Sequence, residues 1–90
     1  MANAILTMKV MPETADINLE QLEKEVTEII TGLGGRVGKV EKKPIAFGLN
    51  SLEFMFVADE NKGTEEFERK VGELEDVQSA QVIDFRRAIG

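Results

Sequence analysis

The sequence has no cysteine and no histidine. Without cysteine there is no disulfide, no thiolate metal site and no thiol nucleophile. Without histidine the commonest general base and the commonest metal ligand are both missing. Tryptophan and tyrosine are absent too, and only five phenylalanines are present, so platforms for stacking nucleic-acid bases are scarce. Basic charge is also in short supply: 11 Lys and Arg face 17 Asp and Glu, a net charge of −6. Phosphate contacts need clustered Lys and Arg, so no direct nucleic-acid partner is expected. No apolar run approaches the ~18–20 residues of a membrane span, and the charged-then-apolar pattern of a signal peptide is missing. The expectation is a cytoplasmic protein with no membrane contact, folded as one domain over residues 1–90 and monomeric when free. It should carry no metal and no cofactor.

What is present is a clear alternation of strand and helix patterns. Ala4–Met11 reads as a strand with apolar residues on both faces, Ala4, Leu6, Met8 and Val10 lying on one of them. Pro12 and the polar residues up to Asp16 read as a connection. Asn18 is placed as the N-cap of a helix, with Gln21 completing a capping box and Ile17 spaced from Leu22 as a hydrophobic staple. Leu19, Leu22, Val26, Ile29, Ile30 and Leu33 recur at helical spacing, and Gly32, Gly34 and Gly35 end the helix. Arg36–Lys43 is a weaker strand, with only Val37 and Val40 apolar among five charges, which suits a sheet edge. Leu49–Val57 is a third strand, carrying Leu52, Phe54 and Phe56 on one face. After the turn at 59–63, Thr64 can cap a short helix with the stripe Phe67, Val71 and Leu74. Val77–Phe85 is the last strand.

This order is β-α-β-β-α-β, the α+β ferredoxin-like arrangement, with a four-stranded antiparallel sheet and two helices on one face. Right-handed crossovers place strands one and three in the middle, and those two are indeed the most apolar. Charge divides with the elements. The strand segments and C-terminal end hold seven basic residues against three acids, while the remainder holds four against fourteen. The helical side should be acidic and the sheet edges basic, an asymmetry able to steer a partner.

Catalysis is not indicated. Many carboxylates sit on helix faces, and Glu20–Lys24, Glu65–Arg69 and Glu66–Lys70 are spaced as i,i+4 ion pairs. Glu65, Glu66 and Glu68 open the second helix, where the helix dipole favours negative charge. The Gly-rich stretch 32–35 runs from helix to strand, whereas a phosphate-cradling loop runs from strand into helix. Two features remain. Pro44-Ile45-Ala46-Phe47-Gly48 joins two antiparallel strands, and such loops are normally polar. Phe47 either folds back onto the end of the core or stands out as an interaction anchor. The second feature is Arg86-Arg87 after the last strand, read as cations on a free end that can reach into a partner.

The chain resembles the guanine-nucleotide-exchange domain of the translation elongation factor 1-beta family, in its short archaeal form. The resemblance rests on Met8–Glu13 with Asp16, Pro44–Leu49 with Leu52, Val57–Glu60 with Gly63-Thr64, and Val77-Gln78-Ser79 through Phe85. It implies a ferredoxin-like fold and a partner, the GTPase elongation factor 1-alpha, whose GDP release family members accelerate so that GTP can reload it. The protein would then be an exchange factor and not an enzyme. In eukaryotic relatives an aromatic in a Gly-aromatic-Gly loop contacts the partner, and Phe47 with Gly48 occupies that place, next to Ile45. Ala46 replaces the first Gly. A near-terminal Lys of those relatives reaches the magnesium region of the GTPase, and Arg87, preceded by Arg86, falls there. Arg and Lys differ in shape and donor geometry, so the exchange is not a neutral one. The other reading of the fold is a small-molecule-sensing regulatory domain, which predicts a ligand pocket that the sequence does not mark.

Overall fold

A computed structural model of the chain describes residues 3–87. Strand β1 (Asn3–Pro12) is followed by helix α1 (Leu19–Gly32), β2 (Arg36–Pro44), β3 (Asn50–Asp59), α2 (Glu65–Gly72) and β4 (Val77–Arg87). The four strands form one antiparallel sheet in the order β2-β3-β1-β4, as the crossover rule requires. The expected ferredoxin-like architecture is therefore the observed one. Strands of nine to eleven residues at ~3.3 Å per residue account for the long dimension of the molecule, which measures 41 × 21 × 18 Å.

The core forms because each element offers one apolar face. Ala4, Leu6, Met8 and Val10 of β1 and Leu52, Phe54, Phe56 and Ala58 of β3 are buried, as are Leu22, Val26 and Ile30 of α1 and Phe67 and Val71 of α2. The Phe56 and Phe67 rings meet at 4.9 Å and 54°, a tilted pair that locks α2 to the central strand. Both helices lie on this one face, α1 toward β2 and α2 over β4.

Helix α1 starts as expected, with Asn18 Oδ1 accepting from the Gln21 amide at 3.1 Å. It stops where Gly34 takes φ +95°, a conformation open to glycine at little cost. Helix α2 starts differently. Thr64 has helical backbone angles and its side chain makes no capping bond, so the acids of the first turn are left to stabilise that end through the dipole. None of the three expected i,i+4 ion pairs closes among the described residues. Arg69 turns instead to Glu73, at 3.5 Å. Pro12 is also not a loop residue: it is buried, ends β1 and lies opposite Val77.

Two β-bulges matter for the rest of the molecule. In β2 the pairing passes from Val37↔Phe56 to Lys39↔Met55, leaving Gly38 as an extra residue. Val37 and Val40 are three apart and would face opposite ways in a regular strand; the bulge lets both lie opposite core residues. In β4 the pairing passes from Met8↔Val82 to Thr7↔Asp84, and Ile83 is the extra residue. On this outer strand the Val82 amide donates to Glu68 Oε2 at 2.7 Å, so a helix carboxylate occupies one donor of the edge.

Candidate functional site

Residues 45–49 form a closed five-residue connection at one end of the sheet. The Ile45 amide donates to the Leu49 carbonyl at 2.8 Å, and the Leu49 amide to the Ala46 carbonyl at 3.3 Å. Phe47 sits at the tip, 96% exposed. It does not fold back onto the core. Its backbone is left-handed (φ 62°, ψ 33°), and it is the only non-glycine residue with positive φ among those described. A left-handed residue bearing a Cβ costs roughly 1–2 kcal/mol. Gly48 follows with φ +74°, which its missing Cβ permits. The chain thus accepts backbone strain to hold a large apolar ring in water, where it contributes nothing to folding. Ile45 beside it is half-buried at the base of the loop.

Arg86 and Arg87 lie at the opposite end. The register places Pro44 opposite Asn50 at the loop end, and Asn3 opposite Asp59 and Ala4 opposite Arg87 at the other. From the row of Arg87 to that of Pro44 is about eight residues of strand, or roughly 25 Å. The arginines are not on a free tail as expected: both belong to β4 and pair with β1. Residues 88–90, the remainder of that expected tail, lie outside the described residues.

Opposed residues of an antiparallel pair share a face. Arg86, opposite Ile5, is therefore on the open face of the sheet, where its Nε meets Asp84 at 3.0 Å. Arg87, opposite the buried Ala4, is on the helix side, where its Nε lies 3.2 Å from Glu60 Oε2. The two cations point to different sides and serve different neighbours. Both remain 77% exposed.

A family model described as EF-1 guanine nucleotide exchange domain matches residues 5–88. The chain belongs to this family. Among its relatives are proteins named elongation factor 1-beta. The one from Methanothermobacter thermautotrophicus is 42% identical over 97% of this chain and 98% of the relative. That from Pyrococcus horikoshii is 38% identical over 94% of each chain. That from Methanobrevibacter smithii is 35% identical over 97% and 98%. These matches bear out the resemblance drawn from the short motifs, and they make nucleotide exchange the activity of the family to which the chain belongs.

Within the exchange-domain fold, the residues singled out from the sequence gather at two places and not one. Ile45, Phe47 and Gly48 share the loop; Arg86 and Arg87 share the far end of β4. Glu60 falls in the turn at 59–63 and in the Val57–Glu60 stretch of the resemblance, and nothing local in the sequence marks its contact with Arg87. The signal lay in the register, since β1 lies between the end of β3 and the end of β4 and brings them to the same level. Among the described residues no three metal-capable side chains converge, and no helix is long and apolar enough to cross a membrane. A shallow depression on the open face, lined by Ile5, Gly38, Lys39, Met55 and Val57, measures about 200 Å³. A second depression, lined by Asn3, Gly34, Arg36 and Asp59, measures about 270 Å³; ligand pockets run from about 300 to 1,000 Å³, so both are small for the regulatory reading.

Proposed function

We propose that this protein accelerates GDP release from the GTPase elongation factor 1-alpha by docking on it at two separated points. The observation that carries this reading is Phe47, a fully exposed aromatic ring kept in place by a strained backbone. A feature that opposes folding and leaves apolar surface in water fits a residue shaped for a partner.

At the other end, Arg87 supplies positive charge. GDP on a GTPase is held partly through Mg²⁺ bridging its phosphate and the protein. A cation brought toward that region opposes the metal by repulsion and competes for its ligands. Docking then favours the nucleotide-free partner, and linkage requires GDP affinity to fall by the same factor. The exchange factor makes and breaks no covalent bond. It acts as a monomer in the cytoplasm, with the whole chain as the exchange unit and without direct contact to nucleic acid. The roughly 25 Å between the two ends implies that Phe47 and Arg87 touch different parts of the GTPase.

The test is the release of fluorescent GDP from elongation factor 1-alpha of the same source, timed across a range of concentrations of this protein. Acceleration that saturates is the expected result; no acceleration at any concentration would refute the proposal. A complex in which Phe47 and Arg87 touch one small patch would overturn the two-point arrangement while leaving exchange intact.

A further inference from the structure

Glu60 lies just past the end of β3, where the chain turns toward α2. Its side chain is only 22% exposed. Its Oε2 is fully buried and makes no hydrogen bond among the described residues. The opposite charge it meets is Arg87, with Nε 3.2 Å away. A carboxylate oxygen taken out of water needs such compensation, because an unpaired buried charge is costly.

The nitrogen engaged decides what the contact does. Nε is the inner nitrogen of the guanidinium, and the terminal nitrogens form the outer fork that recognises planar oxyanions. The contact lacks hydrogen-bond geometry, so it tethers the guanidinium by its inner side as an ion pair and leaves the terminal nitrogens unengaged by Glu60. The 77% exposure of Arg87 agrees with that arrangement. Arg86 differs: its partner Asp84 is two residues away on the same strand and 44% exposed, a surface pair of the kind that contributes little. Of the two terminal cations, only Arg87 is held by a mostly buried carboxylate from another element.

We infer that Glu60 is a positioning residue for nucleotide exchange: its ion pair with Arg87 keeps the guanidinium at this end of the sheet, with its terminal nitrogens free, before the partner docks. This rests on the role proposed above for Arg87. An arginine ordered only as it enters the metal region of the already docked partner loses side-chain freedom in that step, whereas one already held does not. In this role Glu60 acts through Arg87, so its effect belongs to the maximal rate, which Arg87 sets. The half-saturating concentration, to which the Phe47 loop contributes independently, should stay in place.

The experiment measures fluorescent-GDP release from elongation factor 1-alpha against concentration for the natural protein and for Glu60→Gln, Arg87→Ala and the double variant. Thermal unfolding of each variant confirms that it is folded. Glu60→Gln should lower the maximal rate about three- to fivefold, in line with a partly exposed charged contact, and leave the half-saturating concentration unchanged. Arg87→Ala should lower it further, and the double variant should match Arg87→Ala alone. If Arg87→Ala is impaired but Glu60→Gln keeps or exceeds the natural rate, Arg87 stands and the positioning role of Glu60 falls. Multiplying effects in the double variant would also overturn it, since Glu60 would then act on its own. If Arg87→Ala keeps the natural rate, the reading of Arg87 fails, and with it the inference.

Discussion

The two ends of the sheet hold their exposed residues in different ways. At the loop end, Phe47 has no polar group to anchor it, and its position comes from the backbone: two successive left-handed residues inside a connection closed by hydrogen bonds at Ile45 and Leu49. At the far end, Arg87 sits on ordinary strand backbone, and its side chain is tethered by an ion pair with Glu60. An apolar ring can be aimed only by the chain that carries it. A charged group can be aimed by a neighbour of opposite sign. The first device costs folding energy in the free protein; the second compensates a buried carboxylate and adds a little stability. The two ends should therefore respond in opposite directions to the same kind of change.

The largest effect is expected from Arg87→Ala, which should lower the maximal rate of GDP release by about ten- to a hundredfold, the range of a truncated hot-spot residue. Stopped-flow release at saturating protein measures it. Phe47→Ala should instead raise the half-saturating concentration about tenfold and leave the maximal rate nearly unchanged. If both variants shift the same parameter, the division between an anchoring end and an acting end is wrong.

Smaller changes test the folding side of the contrast. Glu68→Ala, midway between the ends, removes the acceptor of the Val82 amide and should cost about 1 kcal/mol in denaturant unfolding. The same change should speed hydrogen exchange at Val82 without altering GDP release, because neither end is touched. Phe47→Gly should do the reverse of an ordinary truncation. It removes the left-handed strain, which outweighs the extra freedom gained by the unfolded chain, so stability should rise by about 0.5–1 kcal/mol while docking weakens. A loss of stability in Phe47→Gly would mean that the loop is not strained in the way its angles imply.

The architecture was legible in the sequence because local patterns agreed with one another. Alternation in β1 and β3, helical spacing from Leu19 to Leu33 and the Asn18 cap all pointed to the same topology. Several details depended on pairing and could not be read locally. Val37 and Val40 look ill-spaced for one face until the bulge at Gly38 is known. Thr64 has the chemistry of a cap but adopts a helical conformation. The ion pairs expected from i,i+4 spacing did not form because exposed pairs of this kind are weak enough for other neighbours to redirect them.

The candidate site was half legible. Phe47 stood out as an apolar residue in a tight connection, yet its exposure and left-handed backbone are tertiary facts. Arg86 and Arg87 look like a tail in the sequence because paired cations after the last apolar alternation resemble one. They are strand residues because β1 extends far enough, to Asn3, to pair with them.

The bulge at Ile83 has a consequence for how this strand can change over time. Beyond it every residue of β4 has had its face exchanged, which is why Arg87 lies on the Glu60 side and Arg86 does not. Losing Ile83 itself would close the bulge and leave Arg86 opposite Ile5 and Arg87 opposite Ala4, as now; pairing Ile83 with Thr7 instead would bring Arg86 to the side Arg87 now occupies. The far end of β4 can therefore absorb the loss of one residue at the bulge, whereas the loss of one beyond it would exchange the two faces. The five-residue connection around Phe47 is under no such rule, because no alternation passes through its tip. Over evolutionary time, one end of the molecule can vary in single steps, while the other can do so only where a spare residue is already stored.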